Sequence, residues 1–139
     1  MPGAIDYEIS KRLHPEPPTE EELRYMRDIE PTSAGIFLHK LHTITSEGNE
    51  TLVKLGASTG CRWGDTACAI YTRLGDSAVC ASGLYFHSVL GSTDIKYIMK
   101  YWLNEPSVGV KPGDAFFCNS PYIRGTHPPD MGIYAPIFY

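Results

Sequence analysis

A chain of 139 residues, 42% hydrophobic and 20% charged, has the length and composition of one ordinary globular domain and no length left for a second core. A formal charge of -4 with no Lys/Arg cluster offers no field for nucleic acid, and no apolar run approaches the roughly 20 residues a membrane helix needs. The opening MPGAIDYEIS has neither a basic start nor an apolar core, so the expectation is a chain without a secretory signal, working in the cytoplasm.

Residues 1–18 contain Pro2, Pro15, Pro17 and Pro18 without a sustained apolar period, and read as an extended arm able to lie over a partner. Thr19 followed by Glu20, Glu21 and Glu22 is a capping box, opening a short helix to about Asp28. Residues 1–29 are thus an extended and helical arm. Glu30-Pro31-Thr32 breaks that helix and starts another, which runs from Ser33 to about Leu55 on the apolar positions Ile36, Phe37, Leu41, Ile44, Leu52 and Val53. Gly48 weakens its middle. His39 and His42 can share a face of it, but no acidic residue joins them at helical spacing, so they read as surface or interface histidines.

Thr66–Thr72 and Ser77–Cys80 are β-prone, and the Leu74-Gly75-Asp76 turn between them predicts a hairpin. Ser92 or Thr93 can cap a helix through Ile95, Ile98, Met99 and Trp102, ending near Asn104-Glu105-Pro106. Lys111-Pro-Gly-Asp114 is a turn, Ala115–Cys118 a buried strand, and Asn119–Asp130 a Pro/Gly-rich loop. Met131–Phe138 looks like a final strand. Bare, such a strand is an exposed edge, so it either pairs within the chain or is continued by a second polypeptide. The four cysteines, Cys61, Cys68, Cys80 and Cys118, are spaced too irregularly for a zinc knuckle, with no C-x-x-C, and read as buried free thiols.

The residues with chemistry to offer lie in two places. His127 and Asp130 stand three apart in a loop stiffened by Pro128 and Pro129, which fix backbone φ and lower the entropy cost of holding two side chains together. Imidazole plus carboxylate suits Zn²⁺, Mn²⁺ or Fe²⁺ but leaves a site incomplete; a hydrogen-bonded pair ordering a Pro-rich turn fits the spacing equally well. Asp65 and His87 flank the hairpin, at strand ends where side chains can converge; the plainer alternatives are a turn residue after Gly64 and a core histidine beside Tyr85 and Phe86. No P-loop, G-x-G-x-x-G or G-x-S-x-G is present, so ATP or dinucleotide binding is not placed on this chain.

The order of these motifs resembles the N-terminal part of the hydantoinase B family, which includes 5-oxoprolinases and the metal-bearing subunits of ketone carboxylases. Lys111-Pro-Gly-Asp-Ala-Phe-Phe-Cys-Asn-Ser-Pro-Tyr-Ile-Arg-Gly-Thr-His-Pro-Pro-Asp130 followed by Ala135-Pro-Ile-Phe138 matches the family's PGD, NDPY, GTH-x-PD and PVF run. Asp65-Thr-Ala-Cys-Ala-Ile-Tyr-Thr-Arg-Leu-Gly75 matches its D-F-S-C-A stretch without a gap, and His87 falls where the family has a histidine. Residues 30–139 are therefore identified as a hydantoinase-B-like fragment. Departures are Ser120 for the Asp of NDPY, Arg124 for a Gly, and Val89 where a Gly usually follows the histidine.

The resemblance implies that His127 and Asp130 are ligands of a catalytic divalent metal (Zn, Mn or Mg), with Asp65 a further ligand or neighbour and His87 lining the same site. Family members supply another histidine ligand beyond the final strand, so a second polypeptide would complete the site. Arg124 could then grip a phosphorylated intermediate or bicarbonate. The implied fold is α+β: a helical arm, then a mixed or antiparallel sheet completed by a partner subunit. The implied activity is that of a subunit, inactive alone, of an ATP-dependent ketone carboxylase turning a ketone and bicarbonate into a 3-oxo acid. Larger kinase-like and hydantoinase-B-like subunits would be its partners, with ATP bound on them. Phe117-Cys118-Asn119 and the aromatic tail lean toward the carboxylase branch. ATP-dependent opening of a cyclic amide is the alternative, and a structural subunit with a degenerate site is a third.

Overall fold

The computed structural model describes residues 5–124 and 126–138; Pro2 of the expected arm and Gly125 of the histidine loop lie outside the described residues. In chain order, α1 (Tyr7–Ser10), α2 (Glu20–Asp28), α3 (Pro31–Leu55) and α4 (Thr59–Arg62) precede strands β1 (Ala67–Tyr71) and β2 (Ser77–Ser82). Helix α5 (Phe86–Tyr101), β3 (Phe116–Cys118), α6 (Pro121–Arg124) and β4 (Gly132–Tyr134) follow. Helices with two small antiparallel sheets make the chain α+β. It divides into two compact units, a hairpin unit of residues 15–71 and 77–88, and a loop unit of residues 1–14, 72–76 and 89–139. Residues 1–29 contribute to both.

In the hairpin unit, α2 begins on the expected capping box: Thr19 N–H donates to Glu22 Oε2 at 2.6 Å and Glu22 N–H to Thr19 Oγ1 at 3.2 Å. Glu30 caps α3 in the same spirit, its carboxylate accepting from Thr32 N–H at 2.9 Å and Ser33 N–H at 2.7 Å, while Pro31 takes the first helical position, where no donor is needed. Helix α3 packs on β1 and β2. Gly48 serves that contact: a Cβ there would stand 2.6 Å from Cys68 Sγ, so the residue expected to weaken the helix is what lets the hairpin approach it. Thr45, wholly buried, returns its hydroxyl to the Leu41 and His42 carbonyls. His39 and His42 are exposed. The hairpin forms as expected, with Ala67 opposite Ser82 and Ile70 opposite Val79.

The loop unit differs from expectation at both ends. The arm is not extended throughout: Asp6 caps α1, accepting from Glu8 and Ile9 N–H at 3.0 and 3.2 Å. The segment seats on α5 rather than standing free, because Asp6 also takes Lys100 Nζ and Tyr101 Oη at 2.6 Å each, Lys96 Nζ donates to the Arg12 carbonyl, and Ile9 is buried. Helix α5 starts at Phe86, not at Ser92 or Thr93. Both hydroxyl residues are buried mid-helix, and Thr93 Oγ1 turns back to the Leu90 carbonyl at 2.7 Å, satisfied within the helix instead of capping it. Trp102 stacks on Phe116 at 5.6 Å, and Tyr97 meets Trp102 edge-on at 5.7 Å. The strand expected to be buried is half-buried, since Phe117 points to the other face and is exposed. The final strand pairs within the chain, with Phe116 opposite Tyr134 and Cys118 opposite Gly132. It covers only three residues, and Pro136, lacking an N–H, stands just past its end. The loop between β3 and β4 contains the single turn of α6.

Candidate metal centre

The β3–β4 connection carries His127 and Asp130. Pro128 and Pro129 sit at the bend between them, closed by Asp130 N–H donating to the His127 carbonyl at 3.1 Å. Asn119 Nδ2 donates to the Pro128 carbonyl at 3.5 Å. The His127 side chain is 71% exposed and that of Asp130 10%, and His127 Nδ1 stands 3.6 Å from Asp130 Oδ2, too long for a hydrogen bond. Asp130 Oδ2 is buried with no hydrogen-bond partner, as is Thr126 Oγ1. A buried carboxylate oxygen left without a donor is costly unless a cation meets it. The pair therefore fits a divalent ion by the chemistry of its donors, one imidazole nitrogen and one hard oxygen, though two donors make a partial site.

In the hairpin unit, Asp65 and His87 are brought together, Asp65 just before β1 but His87 inside a helix and not at the expected strand end, with His87 Nε2 2.6 Å from Asp65 Oδ1. His87 lies in the first turn of α5, its ring 4.2 Å from that of Phe86, and only 10% exposed. Asp65, at 43%, keeps a face to solvent. An ionised Asp65 can only accept, so Nε2 is the donor in this contact, and in a neutral imidazole that leaves the lone pair at Nδ1. The approach depends on Gly83, whose added Cβ would fall 1.8 Å from the Gly64 carbonyl oxygen, next to Asp65. Among the described residues no three His, Cys, Asp or Glu side chains gather as a metal cluster.

Arg124 is placed in the interior of the loop unit. Its side chain is 4% exposed and its Nε is 2.9 Å from Oδ2 of Asp94, itself 1% exposed, on α5. Tyr134 donates its hydroxyl to the same Oδ2. Burial raises the Asp94 carboxyl above the usual carboxylate range, and the Tyr134 hydroxyl and Arg124 guanidinium pull against it. Burial also pushes up the Cys118, Cys68 and Cys80 thiols; all four cysteines are free and half-buried. Sequence reading missed Asp94 and Tyr134. A signal for Asp94 exists: it lies four after Leu90 and four before Ile98, a carboxylate in the buried stripe of its helix.

Among the described residues no helix is long and apolar enough to cross a membrane. Helices α3 to α6, both strand pairs and the two His/Asp pairs lie on a segment that a family model describes. The chain belongs to the hydantoinase B/oxoprolinase family, whose model matches residues 30–139. It is 30% identical, over 91% of its length, to the acetophenone carboxylase delta subunit of Aromatoleum aromaticum. It is 32% identical to a 5-oxoprolinase of Pestalotiopsis fici over 80% of its length, and 32% identical to the 5-oxoprolinase of Saccharomyces cerevisiae over 82%. The chain spans 18%, 8% and 9% of these relatives' own lengths, under a fifth in each case.

Proposed function

We propose that this chain is one section of a multisubunit, ATP-linked enzyme of the ketone carboxylase type, and that it contributes part of a divalent-metal site through His127 and Asp130. The observation that carries the reading is the buried Asp130 Oδ2, which has no hydrogen-bond donor although His127 stands 3.6 Å away. An exposed imidazole beside a sheltered carboxylate presents a nitrogen lone pair and an oxygen to one incoming ion. The chemistry such an ion supplies is Lewis-acid polarisation of a substrate oxygen as negative charge develops. His87, with its proton held at Nε2 by Asp65, is a general base at Nδ1 in its own unit. Similarity to a carboxylase subunit over nine-tenths of the chain supports the carboxylase branch. The larger kinase-like and hydantoinase-B-like partners, the ATP they bind, the ketone and bicarbonate, and a cytoplasmic setting belong to the same proposal.

Metal analysis of the purified complex tests it. His127→Ala and Asp130→Asn are each expected to lower bound metal and turnover together; retention of both in His127→Ala would leave a structural subunit with a degenerate site. Ring-opening of a cyclic amide is the second reading, favoured by the similarity to 5-oxoprolinases. Product analysis separates the two: labelled bicarbonate enters the product of a carboxylase, whereas a lactam yields an amino acid without it.

A further inference from the structure

The His127 loop is tied at both ends to one carboxylate. Arg124 closes α6 immediately before the loop, and Tyr134 ends β4 immediately after it. Both reach Asp94 Oδ2, Arg124 through Nε at 2.9 Å and Tyr134 through its hydroxyl. Asp94 is a rigid post, in the middle of α5 with 1% of its side chain exposed. Gly132 makes room for the clasp: a Cβ there would fall 2.3 Å from Tyr134 Oη, pressing the hydroxyl off its carboxylate. Only 4% of the Arg124 side chain is exposed, which leaves little of it open to a dissolved anion.

We propose that Asp94, Arg124 and Tyr134 form a buried clasp that sets the position of the loop bearing His127 and Asp130, so that all three are positioning residues for the metal-binding pair. The proposal rests on the reading of that pair as metal ligands. A short loop with an exposed histidine has many conformations, and holding both ends on one helix leaves few of them. Residues that orient metal ligands from behind change metal affinity when removed, by about 10–100-fold.

The test uses the chain within its purified complex, stripped with chelator and titrated with Zn²⁺ and with Mn²⁺, alongside hydrogen exchange of residues 126–131. Tyr134→Phe, which removes one hydroxyl, is expected to speed exchange in the loop and weaken metal affinity about tenfold or more. The paired change Asp94→Leu with Arg124→Met removes both buried charges together, so its melting temperature is expected to stay close to the unaltered protein. Its metal affinity is expected to stay low. Unaltered loop exchange in Tyr134→Phe, or full metal affinity in the paired variant, overturns the clasp. So does an Arg124→Lys variant with a raised KM for bicarbonate and unchanged metal affinity, because Arg124 then meets substrate. Should His127→Ala keep its metal while Tyr134→Phe still loosens the loop, the ligand reading fails and the clasp stands.

Discussion

Gly83 and Gly35 make opposite demands on the same substitution. At Gly83 a Cβ would sit 1.8 Å from the carbonyl oxygen of Gly64, and a backbone atom cannot swing aside as a side chain can. Gly83→Ala is expected to destabilise by about 1–3 kcal/mol, the usual cost of overpacking, and to loosen the adjoining Asp65–His87 pair. Gly35, on an open face of α3, has no atom within 4 Å of the place a Cβ would take, so Gly35→Ala should stabilise by about 0.5–1 kcal/mol through the backbone freedom it removes from the unfolded chain. Denaturant midpoints of the two variants check both signs. That His127 stands near Asp130, and Asp65 near His87, was legible in the sequence because polar groups at turns and element ends stand out from their surroundings. Asp94 did not stand out, since its meaning depends on Arg124 and Tyr134, 30 and 40 residues away along the chain. Gly48 and Gly83 were opaque for the same reason: the atom each accommodates belongs to a distant segment.

Helix ends show which local signals carry through. The capping box at Thr19 acts within a few residues, so its pattern is complete in the sequence and α2 begins where it places it, whereas the Glu30 cap starts α3 at Pro31, two residues before the expected Ser33. Ser92 and Thr93 carry a similar signal, but burial among Leu90, Tyr97 and Ile98 puts them inside α5. The Glu30 cap has a measurable pH signature. The Thr32 and Ser33 N–H groups stabilise its ionised form and hold its carboxyl down from the ordinary 4.5 to about 2. As pH falls, the unfolded chain takes up the proton first, so the contribution is whole above about 4.5 and is lost on the way down to about 2. Asp6, held well below the usual range by Lys100 and Tyr101, has the same sign. Asp94 runs oppositely: its raised value keeps the proton on the folded state longer, so its share declines as pH rises above the ordinary 3.8. Helical ellipticity followed from pH 6 to 2 is expected to fall in this acid window, and Glu30→Gln to remove part of that fall. An unchanged acid limb in Glu30→Gln would mean that the cap does not hold the start of α3.

At the scale of the whole molecule, α3 decides how much of the chain makes sense alone. It meets the hairpin at Gly48 in its later half, but Ile36, Phe37 and Leu38 in its first half are 55%, 61% and 48% exposed. Three consecutive large apolar residues cover the helix on more than one side, which water penalises and which single scattered apolar residues do not explain. The relatives carry this segment as under a fifth of their length, so each has a large body of further chain that can pack on it. The hydantoinase-B-like polypeptide proposed above as a partner is the occupant to test. A charge placed there must be desolvated on assembly but not on folding of the helix itself, which separates the two effects. Phe37→Glu is therefore expected to leave the helical circular dichroism of the isolated chain unchanged and to abolish its co-migration with the proposed hydantoinase-B-like partner, co-expressed with it, in size-exclusion chromatography. The same substitution at Lys40, charged already and exposed on the same helix, should leave assembly intact. Co-migration that survives Phe37→Glu would move the interface off the first half of α3 and leave its apolar residues to another partner.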